Sequence, residues 1–258
     1  MAISLDSLEH GISTDPPRTL LYAPRGFGKT TWASEAPNPI IVATEKGTGL
    51  NDVRRTPLVN SFDEVMAWLR LLYSQEHPYE SIVLDTLDGT EELIHDAVRK
   101  AHDDGIFADY GKGFTLSLPY FEKLKAGLNA LHNKGMNIII LAHSQIKRYE
   151  APNTAAYDRF RIDVHEKASK IFEEWVDCIL FGNVKVYTTE EKGAFNKKVV
   201  KGVTNDEHII RTTERPAFVA KNRYDLPLEL PFVKGQGWKA YEDAIATARK
   251  SASKKEAA

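Results

Sequence analysis

Four short apolar runs punctuate the first 145 residues, at 19–22, 40–43, 82–84 and 138–142, each dominated by Ile, Leu, Val or Ala. Runs of this length without polar alternation suit strands buried on both faces, and so predict a parallel sheet. Between them the apolar residues recur at helical spacing: Phe62, Val65, Leu69, Leu72 and Tyr73, then Leu93, Ile94, Ala97 and Ala101, then Phe121, Leu124, Leu128 and Leu131. Strand feeding helix feeding strand predicts a doubly wound α/β domain whose ligand sits at the carboxyl ends of the strands. After Trp175 the period changes to two, at residues 184–188, 198–200, 208–211 and 217–220, with Gly193, Gly202 and Pro216 as breaks. That pattern predicts an antiparallel extension of the same sheet, closed by a helix from Trp238 to about Lys250.

Charge refines the picture. The chain of 258 residues has 34 Lys and Arg against 36 Asp and Glu, a net charge of -2, so any polyanion must be met by a local patch. Residues 63–109 hold twelve acidic and three basic side chains, whereas 112–170 hold ten basic and five acidic, and 181–223 nine and five. The middle and the last third therefore carry the cationic surface. One cysteine, Cys178, excludes an internal disulfide framework and suits a reducing compartment. No apolar run approaches a membrane span and the first residues do not read as a signal peptide, so the expected location is cytoplasmic, in a bacterial host if the chain is phage-encoded.

The chemistry begins at Ala23-Pro24-Arg25-Gly26-Phe27-Gly28-Lys29-Thr30-Thr31, which follows the first strand and opens the first helix. It resembles the phosphate-binding P-loop, with Ala23 where the first Gly is expected. Small residues let consecutive backbone N–H groups turn inward around phosphates, so Pro24 to Thr31 form the expected ATP site. Lys29 is expected on the β and γ phosphates, and the Thr30 hydroxyl on the Mg²⁺ that bridges them. About fifty residues later the strand Ser81-Ile82-Val83-Leu84-Asp85 ends in a carboxylate that can hold the metal shell opposite Thr30. Asp88, followed by Glu91, reads as a helix cap. Glu45, just past the second strand, can reach a water in line with the γ phosphate; a solvated loop glutamate is the other reading. His143 ends the fourth strand, where it either faces the γ phosphate or is a satisfied strand-end histidine.

In this order the residues look like the RecA-like P-loop ATPase core, within it the phage nucleotide-binding type that includes RecA-like single-strand annealing recombinases. The resemblance covers about residues 17–231 and implies a short N-terminal segment at 1–17, with Ile3 and Leu5 as a conceivable assembly contact, an ATPase core at 18–237 and a C-terminal helix and charged tail at 238–258. It implies catalytic roles for Lys29, Glu45 and His143, although the family sensor is often Gln. Ala220-Lys221-Asn222-Arg223-Tyr224-Asp225-Leu226-Pro227 is similar to the Lys-Asn-Arg-Phe-Gly segment of the RadA branch, which implies that Lys221 and Arg223 serve a neighbouring subunit's nucleotide.

By the same resemblance two mobile loops, about 103–117 and 145–165, bind single-stranded DNA. Lys112 lies in the first, and Lys147, Arg148, Tyr149, Arg159, Phe160 and Arg161 in the second, with Glu150, Asp158 and Asp163 among them. Cations track phosphates while rings stack on bases. The implied activity is a DNA-stimulated ATPase that promotes annealing or strand exchange. The implied partners are single-stranded DNA and further copies of the chain in a ring or filament, with room for a helper single-strand DNA-binding protein. The competing reading is a nucleotide-switched assembly protein that hydrolyses slowly; a small-molecule kinase fits poorly with the antiparallel tail.

Overall fold

The computed structural model describes residues 11–46, 52–192 and 198–256, and the side chains among them apart from those of 186–192, 198–205 and 254–256. The contact suggested for Ile3 and Leu5 lies outside the described residues. In chain order the elements are β1 (Arg18–Ala23), α1 (Lys29–Ser34), β2 (Pro39–Ala43), β3 (Arg54–Arg55), α2 (Phe62–Ser74), β4 (Ser81–Asp85), α3 (Leu87–Ala101) and α4 (Lys112–His132). They continue with β5 (Asn137–Tyr149), β6 (Tyr157–Ile162), α5 (Glu166–Trp175), β7 (Cys178–Lys192), β8 (Lys198–Arg211), β9 (Lys221–Asn222), β10 (Glu229–Pro231) and α6 (Gly237–Glu256).

The sheet runs β10-β8-β7-β1-β5-β4-β2-β3. From β7 to β3 every pairing is parallel, while β8 and β10 add antiparallel strands at the other edge. The mostly parallel sheet flanked by helices, with its antiparallel extension, is the fold class expected from the alternating pattern.

Each central strand is buried on both faces because its odd and even residues enter different cores. Leu20, Tyr22, Ile40, Val42, Ile82, Leu84, Ile138 and Ile140 pack under α2, α3, α4 and α5 with Phe62, Leu69, Ile94, Phe121 and Phe172. Leu21, Ile41, Val83, Ile139, Leu141 and Leu180 pack on the other side against Trp32 of α1 and Trp238, Tyr241 and Ile245 of α6. The last helix is thus half of a core layer, and Tyr241 is bonded to the hydroxyl of Thr19 beneath β1.

Several local expectations need correcting. Residues 217–220 are not a strand: Phe218 makes only isolated bridges and packs its ring on Phe181, so burial, not pairing, accounts for the apolar residues there. The second loop is largely structured. Strand β5 runs on past His143 to Tyr149 and turns back as β6, and α5 follows at Glu166. The first loop is shorter than 103–117, because α4 already begins at Lys112 after Gly111 in the left-handed region. Tyr73 is half exposed, where the helical spacing expected core.

Candidate nucleotide site

The carboxyl ends of β1, β5, β4 and β2 lie side by side, and each delivers one functional group. Because β5 is inserted between β1 and β4, His143 pairs in register with Ala23, and Leu141 with Asp85, so His143 stands between the P-loop and the Asp85 strand. Beyond β1 the chain turns through Gly26 and Gly28, both at positive φ. Gly28 also meets the ring of Phe232, 3.0 Å from where a Cβ would be, so both conformation and space demand glycine there. Arg25 and Gly26 are exposed and Thr31 is half-buried.

Phe27 behaves differently from its loop neighbours. Its side chain is buried, stacks on His208 and meets Phe232, and a Cβ on Gly182 would come within 2.4 Å of its ring. His208 Nδ1 also bonds the Phe27 carbonyl oxygen at 3.0 Å. Phe27 is therefore the anchor that pins the P-loop to β7 and β8, and only its backbone is left to face a phosphate.

Lys29 opens α1 and is 6% exposed, donating from Nζ to the Ala23 carbonyl oxygen. Burial pushes its pKa down, while Asp88, Asp85 and Glu45 pull it back up. Thr30 Oγ1 donates to Asp85 Oδ2 at 2.8 Å, which leaves the lone pairs of the hydroxyl oxygen available. Burial raises the Asp85 carboxyl above its usual range, and Oδ1 is buried without a hydrogen-bond partner. A buried carboxylate oxygen in that condition, beside a hydroxyl oxygen with free lone pairs, is what a hard divalent cation such as Mg²⁺ requires. The residues fit the metal.

At the neighbouring strand end, Glu45 Oε1 faces His143 Nε2 at 3.8 Å, and His143 Nδ1 bonds Asp88 Oδ2 at 2.7 Å. Ligand atoms of Glu45, Asp88 and His143 lie within 4.8 Å of one another. The expected capping role of Asp88 is taken by Thr86, whose hydroxyl accepts from the Gly89 N–H. Thr44 is a positioning residue that the sequence did not single out. Its hydroxyl accepts from the Thr86 N–H at 2.7 Å and donates to the Thr86 carbonyl at 3.0 Å, tying the turn that carries Glu45 to the end of the Asp85 strand. A Thr-Glu pair following a buried strand was the available signal.

The AAA domain, as a sequence family, matches residues 15–224, from the start of β1 through the Lys-Asn-Arg segment. The chain belongs to the AAA domain family. No curated protein matches it. The AAA domain assignment makes the P-loop a nucleotide site and the chain a P-loop ATPase domain. Among the described residues no helix is long and apolar enough to cross a membrane.

Other expected site residues lie elsewhere in the AAA domain. Lys221 and Arg223 are at the amino-terminal end of β7, the edge of the sheet opposite the P-loop. Lys221 Nζ donates to the carbonyls of Glu173, Glu174 and Val176, closing the end of α5. Arg223 joins Arg18 on Asp177. This helix-end role was not anticipated, and it leaves Lys221 no free donor facing outward.

Of the proposed DNA contacts, three are corrected. Arg159 is buried, donating to Glu214 and to the Phe218 carbonyl oxygen, with its guanidinium over the Tyr149 ring. Phe160 is partly buried, packing on Phe181 against the core. Arg161 lies between Glu166 and Glu173 at 3.8 Å from each. Because β6 alternates, Phe160 and Ile162 turn to the core, while Arg159 and Arg161 share the other face and are held there by carboxylates. Lys147 and Arg148 remain exposed on β5, Tyr149 is half-buried against Tyr157, and Lys112 is exposed beside Asp109.

The foot of the β5–β6 hairpin has its own electrostatics. Both oxygens of Glu91 accept from the His165 N–H, and burial still pushes the Glu91 carboxyl up from 4.5 to about 7, helped by Glu92, Asp163 and Asp88. Next to it, burial pushes His95 down from 6.5 to about 4, aided by Arg99 and His165 against Asp96. The native state thus holds more Glu91 proton than the unfolded chain between pH 4.5 and 7, so the Glu91 cost to stability grows as pH rises through that window. Glu91→Gln removes this cost. The melting temperature of the variant relative to the parent rises from pH 4.5 to 7 and then levels off; a difference independent of pH would show that Glu91 is charged throughout.

Proposed function

We propose that the chain is a RecA-like recombination ATPase that hydrolyses ATP with Mg²⁺ and binds single-stranded DNA through the β5–β6 hairpin. The observation that carries this reading is the continuity of β5. One strand holds His143 at the nucleotide site and, four and five residues later, presents Lys147 and Arg148 to solvent. Lys29 supplies a fixed, partly desolvated cation for the phosphates. Thr30 and Asp85 would hold the metal, whose chemistry is to neutralise charge on the phosphates. Glu45 accepts the proton of the attacking water, and His143 faces the same point from β5, on the far side of β4.

Hairpin binding by phosphate contacts has a measurable signature. Replacing Lys147 and Arg148 together by Ala lowers affinity for an unstructured oligonucleotide and flattens the plot of log affinity against log salt by about 1.4, at about 0.7 for each lost contact. Arg159→Ala serves as the contrast, since it removes a buried network and lowers the melting temperature. The same oligonucleotide raises the rate of ATP hydrolysis by the parent protein. An unchanged salt slope with unchanged affinity in the hairpin variant removes the DNA site from the hairpin.

A second reading is favoured by the engagement of Lys221 with the end of α5. Without a cation delivered from the tail to a neighbour, the protein acts as a slow nucleotide switch. Turnover per subunit then stays constant as protein concentration rises, whereas a site completed across an interface gives turnover that increases with it.

A further inference from the structure

Asp88 is three residues beyond Asp85, on the first turn of α3, and gives both its oxygens to His143. Oδ1 accepts from the His143 backbone N–H at 2.9 Å and Oδ2 faces Nδ1 at 2.7 Å. On the other side the His143 carbonyl accepts from the Asp163 N–H. Main chain and ring of this one residue are therefore both held, and Asp88 is not needed as a cap, because Thr86 caps the helix. Burial works against the Asp88 charge, but the bonds from His143 outweigh it and keep the carboxyl below its usual range. An ionised carboxylate only accepts, so the proton of the pair is on Nδ1. Rotating the ring by half a turn would put a carbon against Asp88 and lose the bond. Nε2 is consequently the atom turned toward Glu45.

We propose that Asp88 is a positioning residue for hydrolysis, holding His143 in the Nδ1–H tautomer with Nε2 presented to Glu45 as an acceptor. The direction of that contact matters. An Nε2–H would donate to the Glu45 carboxylate, favour its charged form and weaken it as a base. A bare Nε2 makes no such bond in the ground state. Once the attacking water has given its proton to Glu45 and its oxygen has bonded to the γ phosphorus, as the bond from that phosphorus to the bridging oxygen breaks and ADP leaves with the electron pair, the new Glu45 O–H can donate to Nε2, so the stabilisation falls after proton transfer. No proton leaves the pair and no further reactant is needed. A glutamine at 143 can offer an amide oxygen or an N–H by simple rotation, so it does not depend on Asp88. The histidine does, as the second nitrogen takes its role from the first.

This inference rests on the hydrolysis reading above, and the test separates the two. In protein labelled with ¹⁵N at histidine, His143 is assigned by comparison with the His143→Gln variant, and its ring nitrogens are read at pH 8. The expected parent spectrum has Nδ1 protonated and Nε2 bare, and Asp88→Asn, whose amide can donate to Nδ1, reverses the pair. Any proton on Nε2 in the parent, whether in the Nε2–H tautomer or in a doubly protonated ring, overturns the proposal whether or not any variant folds. In steady-state assays Asp88→Asn lowers kcat for ATP about tenfold or more and leaves KM within about twofold, as expected when proton transfer and not binding is impaired. In the His143→Gln background the same change alters kcat less than about twofold. Equal losses in both backgrounds make Asp88 merely structural. A parent protein with no ATP turnover but the expected tautomer defeats the hydrolysis reading and leaves the positioning geometry standing.

Discussion

Replacing Lys29 with alanine abolishes ATP hydrolysis, with a loss of at least about 10²–10³-fold in kcat/KM, the scale of removing one preorganised donor from a developing oxyanion. The size follows from burial. Lys29 is a buried cation at the carboxyl edge of the sheet, and its charge is held there against desolvation by Asp88, Asp85 and Glu45. Without it those three carboxylates face the phosphates unopposed, and binding of the triphosphate weakens together with turnover. The fold survives, because the ammonium makes one hydrogen bond, to the Ala23 carbonyl, and its removal also ends a desolvation cost. The check is a nucleotide titration and a turnover assay on protein whose melting temperature stays within a few degrees of the parent. Near-normal turnover would remove the P-loop from the mechanism.

Glu45→Gln has the next largest effect and a different signature. The amide keeps the shape of the side chain beside His143 but cannot take a proton, so kcat falls by about 10²–10⁴-fold while nucleotide affinity is kept within about threefold. The tie between Thr44 and the Thr86 backbone supports this separation, since the turn is fixed by Thr44 and not by the Glu45 side chain. If affinity collapses while the rate per bound nucleotide persists, Glu45 organises the loop and the base lies elsewhere. Comparing this variant with Asp88→Asn then ranks the base against the residue that orients its neighbour.

The strands and helices that build the site were legible because each rests on local information. Buried strands of a parallel sheet read as unbroken apolar runs, and the P-loop needs its glycines, Lys29 and Thr30 in fixed order on one turn. Asp85, Glu45 and His143 were legible for a related reason: a polar residue closing such an apolar run must lie at the carboxyl edge of the buried sheet, whatever the strand order. The helix α5 was missed although Ala168, Ile171, Phe172 and Trp175 recur at i, i+3, i+4 and i+7, a single short stripe that spans only two turns. The hairpin was missed because the outer part of β5 is exposed on both faces, with Ile146, Lys147 and Arg148 in succession, which reads along the chain as a mixed polar loop.

What the sequence by itself determined is the fold class and the inventory of chemical groups at the nucleotide edge, since a strand's burial and a turn's phosphate geometry depend on neighbours a few residues away. Only the tertiary structure decided which cations are free. Arg159 and Lys221 look on paper like Lys147, yet the first meets Glu214 and the Phe218 carbonyl, about 55 residues distant in sequence, and the second closes a helix more than 40 residues earlier. Asp88 is the converse case, a cap by its spacing and a partner of His143 by the register that puts β4 beside β5. A charge goes to whichever buried donor or acceptor would otherwise lack a partner, and that partner is chosen by the packing of distant segments, which no local pattern records.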